Sequence, residues 1–314
     1  MKILKILVIL IAIILSLVVV AIIYFNASYP PHYKNEAQDI TVEINSIRLA
    51  EGKKIVSMNC AICHISNDGT LGGRVFSNYG PMGTSYSANI TKDVKYGIGR
   101  YTDGELIYLL RTGITKEGKL TPPWMSRFPN LSDEDIFSIV AFLKSENEMV
   151  KPVQSLAGEN DPSLLFKILM NLAFEPLPYP KEKISSPPMD NIIAYGKYLA
   201  TAKYECYSCH GRDFSSVNVF EPEKSEGYFG GGNVFTNPDN DLITYSKNLT
   251  MDKTGLGNWN LELFTKVLKT GKNLNGTKLE YPMQKYNLLT DYEINAIWEY
   301  LKSIPKIVYS NEIK

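Results

Sequence analysis

The chain carries the pentapeptide Cys60-Ala61-Ile62-Cys63-His64 and, in its second half, Cys206-Tyr207-Ser208-Cys209-His210. These two C-x-x-C-H segments contain all four cysteines and two of the three histidines among 314 residues. Thiols three residues apart can capture both vinyl groups of a haem, and the adjacent imidazole then lies under the iron. A redox C-x-x-C pair needs no following histidine, and a zinc site would need two further ligands. Disulfides or zinc are the alternatives; the sequence predicts two covalently attached haem c groups.

The first 25 residues favour a membrane anchor. Lys2 and Lys5 precede an apolar run from Ile6 to Phe25 that only Ser16 interrupts. A helix over this run is about 30 Å long, the thickness of the hydrocarbon core. A cleavable signal peptide, with a weak site at 26–28, is the alternative. The lysines predict a cytoplasmic N-terminus, which places the rest of a single-pass protein on the periplasmic side of the cytoplasmic membrane.

The remaining chain suits two domains, and its charge is balanced. Lys plus Arg and Asp plus Glu each number 33, so no strong steering toward an acidic or basic partner is expected. Nothing in the composition suggests nucleic-acid binding.

Matching segments follow the two C-x-x-C-H motifs in the same order, which indicates an internal repeat. The pairs are Gly73-Arg-Val-Phe76 with Gly232-Asn-Val-Phe235, Ser87-Ala-Asn-Ile-Thr-Lys-Asp93 with Ser246-Lys-Asn-Leu-Thr-Met-Asp252, Gly97-Ile-Gly-Arg-Tyr101 with Gly255-Leu-Gly-Asn-Trp259, Arg111-Thr-Gly113 with Lys269-Thr-Gly271, and Leu131-Ser-Asp-Glu-Asp-Ile136 with Leu289-Thr-Asp-Tyr-Glu-Ile294. Each repeat holds one C-x-x-C-H motif, so each is predicted to be a one-haem domain.

These patterns predict an all-α fold with five parts. The predicted parts are an anchor (1–25), a spacer (26–45), a first repeat (46–147), a linker (148–190) and a second repeat (191–309). Residues 146–190 hold seven of the 17 prolines and include the short apolar segment 164–174, predicted to be a helix that packs in the groove between the domains. The alternative for this segment is the membrane surface.

Helices are predicted at equivalent places in both repeats. Short helices (51–59 and 194–205) lead into the haem motifs. The next helices begin at Thr102 and Asn260 and end at Gly113 and Gly271. The closing helices are capped by Ser132 and Thr290 and carry an apolar stripe. Gly-rich stretches (69–83 and 227–241) are predicted to be loops around the haem.

The axial ligands follow from the few histidines and from the repeat. His64 and His210 are the predicted fifth ligands, and His32 alone cannot complete bis-His ligation of both haems. Met125 and Met283 form the methionine pair at matching positions, each six residues before the Leu that opens the closing segment. They are the predicted sixth ligands, and core filling is the alternative. A thioether ligand raises the haem potential relative to bis-His ligation.

Arginines near the first motif are candidates to neutralise haem propionates. They are Arg74, Arg100, Arg111 and Arg127. In the second repeat only Arg212 could do so, unless lysines serve.

With these motifs, the chain resembles the membrane-bound cytochrome c subunits of periplasmic alcohol and sugar dehydrogenases, over roughly residues 50–145 and 194–305. The resemblance implies two tandem class I cytochrome c domains. It also implies Cys60, Cys63, His64 and Met125 at one haem, with Cys206, Cys209, His210 and Met283 at the other. Family members pass electrons toward a respiratory terminal acceptor and commonly carry three haem domains, whereas this chain has two C-x-x-C-H motifs.

We therefore expect an anchored dihaem electron carrier, or an electron-transfer subunit of an oxidoreductase complex, more than a stand-alone enzyme. The expected partners are redox proteins: a dehydrogenase, a terminal oxidase or a small cytochrome. A dihaem peroxidase or small-anion oxidase is the alternative, which would need a displaceable axial ligand and a nearby acid or base. A haem sensor is a third reading, although the sequence lacks an output domain.

Overall fold

The computed structural model describes residues 1–79, 81–237, 240 and 242–308. Its first helix, α1 (Lys2–Ala27), has no buried residue. Within the described residues it is the one helix long and apolar enough to cross a membrane, a property that a signal sequence shares. The predicted apolar helix is therefore present.

The first repeat is built on two helices that cross at a glycine. α2 (Ser46–Ile55) continues through a π-helical segment (Val56–Cys60) into the short α3 (Ala61–His64) and packs against α5 (Asp133–Leu143). A Cβ added at Gly52 would lie 1.9 Å from the carbonyl oxygen of Ser138, so the crossing requires glycine. The predicted helix over 51–59 thus begins earlier and ends as a π-helix, a form often found at functional sites.

α4 (Asp103–Thr112) lies between these helices in sequence. The helix begins after Thr102 as predicted, with a capping box between Thr102 and Glu105, and Gly113 ends it with φ 82°. Ser132 caps α5 as predicted by accepting a hydrogen bond from the Asp135 amide.

The second repeat repeats this order. α7 (Ile192–Tyr198) continues through a π-helical segment (Leu199–Lys203), α8 (Cys206–Cys209) holds the motif, and α9 (Leu261–Thr270) and α10 (Asp291–Ser303) follow. α7 packs on α10, and a Cβ at Gly196 would lie 1.9 Å from the carbonyl oxygen of Ala296. The predicted caps at Asn260 and Thr290 and the end at Gly271 are present.

Short strands lie where loops were predicted, so the all-α description is incomplete. In the first repeat β1 (Val75–Tyr79) pairs antiparallel with β2 (Gly83–Tyr86), and β2 pairs with β3 (Asp161–Pro162). In the second repeat β4 (Val234–Thr236) pairs antiparallel with β5 (Ile243–Tyr245). Residues 80, 238, 239 and 241 of the predicted loops lie outside the described residues. Helix still dominates, at 41% of the chain.

The linker contains the predicted helix, α6 (Leu164–Leu172), capped by Ser163. Its buried residues Phe166 and Met170 cluster with Leu120 and are flanked by Tyr29 and Trp124. α6 also contacts α1. It therefore packs on the first repeat and the base of α1, and the predicted position between the two domains is wrong. Single 3₁₀ turns cover Glu148–Val150, Phe214–Ser216 and Pro222–Lys224.

Candidate haem sites

The imidazole of His64 is held at its inner nitrogen by the backbone. His64 ends α3, and its Nδ1 lies 2.7 Å from the carbonyl oxygen of Ala88. Because a carbonyl only accepts hydrogen bonds, Nδ1 carries the proton and Nε2 keeps its lone pair. Burial lowers the pKa of His64, which favours the neutral ring. The Gly73 amide donates to the His64 carbonyl at 2.9 Å and fixes the turn after the motif.

His210 is held in the same way. Its Nδ1 lies 2.7 Å from the carbonyl oxygen of Lys247, and the Gly231 amide donates to its own carbonyl at 2.8 Å. Burial lowers the pKa of this ring as well. Both imidazoles therefore present Nε2 as a ligand atom, with the orienting backbone contact that metal-binding histidines usually have.

The Ser-x-Asn-[IL]-Thr segments place these carbonyl groups, a role that sequence reasoning did not assign. Ala88 and Lys247 are the second residue of each segment. The following asparagine is buried in both: Asn89 donates to Val153 O at 2.8 Å, and Asn248 donates to Ile307 O at 2.7 Å. The repeat itself was the available signal, because the same asparagine recurs at the matching position of both segments.

The four cysteine side chains have chemistry that suits thioether bonds. None forms a disulfide. Burial raises the pKa of Cys60 and Cys206 to about 12 and that of Cys63 and Cys209 to about 11. At neutral pH these four groups are therefore protonated thiols. Among the described residues no group of three His, Cys, Asp or Glu is placed to hold a metal ion. These thiols with an adjacent, correctly oriented imidazole fit covalent haem.

Met125 and Met283 occupy equivalent loops. The amide of Met125 donates to Pro122 O at 3.0 Å, and that of Met283 donates to Glu280 O at 2.9 Å. Three residues later each loop is hydrogen-bonded to a helix. The Phe128 amide donates to Leu110 O of α4, and the Tyr286 amide donates to Leu268 O of α9. Both methionines are half-buried. The repeat alignment that paired them therefore agrees with their backbone setting.

The Met283 loop lies beside its own motif. Burial raises the pKa of Tyr286, and Cys206 and Cys209 contribute to that shift. In the first repeat, Trp124 next to Met125 stacks on Phe76 at 6.2 Å and on Phe166 of α6 at 4.7 Å between ring centroids.

Arg111 has a structural role, unlike the predicted one. Its guanidinium donates to Phe128 O at 2.7 Å, to Leu131 O at 2.6 Å and to Asp133 at 2.7 Å. These bonds connect the end of α4 to both ends of the segment between Met125 and α5. Arg111 is therefore committed to the backbone and is not free to meet a propionate. His32 is exposed and forms an isolated β-bridge with Lys119, so it lies outside both candidate haem sites.

The two motifs face each other across the boundary between the repeats. Asn59, before Cys60, donates to Lys203 O at 2.6 Å. Gln284, after Met283, donates to the Met58 carbonyl. Ser126, after Met125, hydrogen-bonds Glu205, which precedes Cys206. Each methionine loop thus contacts the motif segment of the other repeat.

Buried charges fix this boundary in a reciprocal way. Asp135 and Glu293 are equivalent residues in the first turns of α5 and α10. Asp135 pairs with Lys203 at 3.0 Å and accepts from the Tyr198 hydroxyl, whereas Glu293 pairs with Lys54. Lys203 also lies 2.7 Å from Glu51. Each acidic residue therefore binds a lysine of the opposite repeat, on the helical segment that leads into the C-x-x-C-H motif.

Comparison with known proteins gives a family for the first repeat and relatives for most of the chain. Residues 49–147 match the family model described as Cytochrome c. The chain is 29% identical over 279 residues to the alcohol dehydrogenase (quinone) cytochrome c subunit of Gluconacetobacter polyoxogenes, a match that covers 85% of this chain and 58% of the relative. It is 30% identical over 268 residues to the fructose dehydrogenase cytochrome subunit of Gluconobacter japonicus, covering 80% and 51%. It is 28% identical over 262 residues to the gluconate 2-dehydrogenase cytochrome c subunit of Pantoea cypripedii, covering 78% and 57%.

The chain spans about half the length of the curated relatives it matches. A cytochrome c domain implies covalently bound haem c and electron transfer. The predicted resemblance is confirmed: the chain contains a cytochrome c domain and is a homologue of the cytochrome c subunits of quinone alcohol, fructose and gluconate dehydrogenases.

Proposed function

We propose that this chain is a dihaem c-type cytochrome anchored in the cytoplasmic membrane by α1. Its two cytochrome c domains, residues 46–147 and 191–309, lie on the periplasmic side and transfer electrons between redox proteins of a respiratory chain. A dehydrogenase is the expected donor, because the relatives are cytochrome subunits of dehydrogenases. A terminal oxidase or small cytochrome is the expected acceptor.

Each haem has four assigned residues in this proposal. Cys60, Cys63, His64 and Met125 hold the first, and Cys206, Cys209, His210 and Met283 hold the second. Haem c, when bound with His and Met, supplies a one-electron couple of raised potential.

The observation that carries the proposal is the identical support of the two imidazoles. Both Nδ1 atoms lie 2.7 Å from a backbone carbonyl oxygen at the same position of a repeated segment. The hydrogen bond from Nδ1 to the carbonyl is expected only where the histidine acts as a ligand, so its presence in both repeats supports a haem at each C-x-x-C-H motif. The backbone contact also holds each ring in one orientation, which suits electron exchange with little rearrangement.

The boundary between the repeats supports electron passage within the chain. Cys63 adds to the raised pKa of Cys209, so the two thiols are close enough to interact electrostatically. The bonds from Asn59, Gln284 and Ser126 join the motif and ligand segments of opposite repeats. We infer that an electron passes between the two sites across this boundary, where the motif and ligand segments of opposite repeats are in direct contact.

Mass spectrometry of the exported protein tests the count. We expect a mass increase of two haem groups, with one lost in Cys60→Ala/Cys63→Ala and the other lost in Cys206→Ala/Cys209→Ala. Redox-resolved absorption and magnetic circular dichroism spectra should identify a His/Met pair at each iron. A single adduct in the wild-type protein, or catalytic consumption of peroxide, would contradict the proposal.

A further inference from the structure

The two repeats carry equivalent hairpins that differ in what covers them. Aligning Ser87 with Ser246 superposes β1–β2 on β4–β5, since Val75 pairs with Tyr86 and Val234 pairs with Tyr245. Each hairpin ends two residues before the carbonyl that holds the motif histidine. The hairpins thus lie at the same place beside the two candidate haem sites.

The linker closes the first hairpin. β3 adds to the edge of β2, with Thr84 opposite Asp161, and the Tyr86 amide donates to Asn160 Oδ1 at 2.7 Å. Gly83 permits this approach, because a Cβ there would lie 2.1 Å from the Asp161 carbonyl oxygen. All four residues of β2 are half-buried as a result. α6 follows directly and continues the cover over Trp124.

The second hairpin has no such cover within the described residues, where β5 pairs with β4 alone. Leu242 and Ile243 stand where the first repeat has Gly83 and Thr84, and they are 46% and 56% exposed. Val234 and Tyr245, which face each other across the hairpin, are 52% and 39% exposed. An open strand edge lined with apolar side chains is a template for adding another strand.

This open edge is coupled to the second candidate haem site. The Thr244 hydroxyl donates to the Tyr281 carbonyl at 2.7 Å, two residues before Met283. On the other side of β5, the Lys247 carbonyl accepts from His210. A polypeptide bound along β5 would therefore lie next to both segments that support the second iron.

We propose that β5, with Leu242, Ile243, Tyr245 and Val234, is the docking edge for an extended segment of a redox partner protein. The segment adds as a third strand, as β3 does in the first repeat, and its apolar side chains cover the exposed face. In the first repeat the equivalent hairpin accepts a strand that is followed by an apolar helix. Because the linker occupies the corresponding edge at the first site, the second site is the one where electrons enter from or leave to a protein. This inference rests on the proposed electron-transfer function.

Site-specific photo-crosslinking of the full chain in its native membrane tests the proposal. The photoreactive residue p-benzoylphenylalanine replaces Ile243 in one protein and, as the matched control, the equivalent Thr84 in another, where Asp161 of the linker lies opposite. We expect the control to crosslink to the chain's own linker. The Ile243 position should crosslink to a second protein that carries a redox cofactor. A further Tyr245→Lys substitution should lower that yield at least about tenfold, since a buried charge at the centre of an interface disrupts binding.

The outcomes separate this inference from the proposed function. Crosslinks from position 243 to the same chain, to a second copy or to lipid, or no product at all, overturn the docking edge. A crosslinked protein without a redox cofactor overturns it as well. Haem content and both potentials of the Tyr245→Lys protein are measured in parallel and should be unchanged. If haem content is below two in the wild-type protein, the proposed function fails whatever the crosslinks show.

Discussion

The first repeat is enclosed by non-repeated chain, whereas the second is open. Seven of ten residues of α4 are buried, but two of ten residues of the equivalent α9 are. The spacer lies against α4: the Val42 amide donates to Asp103 at 2.8 Å, and a Cβ at Gly104 would lie 1.8 Å from the Gln38 carbonyl oxygen. Among the described residues, no segment equivalent to the spacer lies against α9 in the second repeat.

This contrast shows where two copies of one unit differ in how far they are covered. The motif, the orienting carbonyl and the methionine loop are alike in both repeats. Residues 26–45 and the linker segment that forms β3 and α6 cover the first repeat, and the described part of the second repeat has no equivalent of them. The difference in accessibility comes from the segments around the repeat rather than from the ligand residues.

The largest expected effect is on the axial ligands. Met125→Ala and Met283→Ala should each lower the potential of one haem by on the order of 100 mV, because thioether sulfur favours ferrous iron. Cyanide should bind the opened site at least about tenfold faster in Met283→Ala than in Met125→Ala, since the Met125 loop lies under Trp124 and α6. Potentiometry and stopped-flow absorption measure both quantities.

Met189 provides the control for the methionine series. It is exposed in the linker, so Met189→Ala should leave both potentials unchanged. If cyanide binds at equal rates in Met125→Ala and Met283→Ala, the segments that cover the first repeat do not restrict access to its haem. If Met125→Ala or Met283→Ala leaves both haem potentials unchanged, the substituted methionine is not an axial ligand.

The next effect concerns the boundary, where the repeats are alike. Asp135→Ala and Glu293→Ala each remove one partner of an inward-facing lysine, which leaves Lys203 and Lys54 with Glu51 alone. Each substitution should cost up to about 3–5 kcal/mol of unfolding free energy. The two losses should be similar, because each carboxylate also accepts a second hydrogen bond: Asp135 from the Tyr198 hydroxyl and Glu293 from the Thr290 amide. Thermal unfolding of the detergent-solubilised protein measures the loss.

Glu146→Ala is the matched control for these acidic residues. Glu146 is exposed and pairs with Lys92, so its removal should change stability by at most about 1 kcal/mol. If Asp135→Ala behaves like Glu146→Ala, the reciprocal ion pairs do not hold the repeats together.

Much of each repeat could be predicted from the sequence because local rules decide it. The caps at Thr102, Ser132 and Thr290 and the stops at Gly113 and Gly271 follow from side chains within a few residues. The methionine pair could be found by its register alone. These features recur at matching positions in both repeats, so each copy supported the prediction for the other.

The remainder depends on contacts between distant segments. The hairpins were predicted as loops, since their few strand residues lie among glycines and asparagines. The position of α6 depends on an aromatic stack with Trp124, which spacing along the chain does not indicate. Arg111 was one of the candidates to neutralise a propionate, because its carbonyl partners are not visible in a sequence. The pairing of Lys54 with Glu293 joins residues from opposite repeats and has no local signal.

The smallest effect compares the residues that precede the two motifs, Asn59 and Glu205. Burial raises the pKa of Glu205 to about 7, and a hydrogen bond from Ser126 opposes the shift. The folded protein then keeps this proton up to about pH 7, whereas the unfolded chain loses it near pH 4.5. Between these values the folded state binds more protons, so stability falls as pH rises through the window. Asn59 has no charge to titrate, and the first repeat has no such dependence at this position.

Glu205→Gln makes the second repeat resemble the first at this point. It should stabilise the protein by about 1–3 kcal/mol at pH 8 and leave stability near pH 4.5 unchanged, because the wild-type carboxyl is then protonated in the folded state. Thermal unfolding from pH 4.5 to 8.5 gives both numbers. Parallel curves for the wild type and Glu205→Gln would show that the carboxyl is ionised across the range. The difference between the repeats at this position would then lie in hydrogen bonding, with Asn59 bound to Lys203 and Glu205 bound to Ser126.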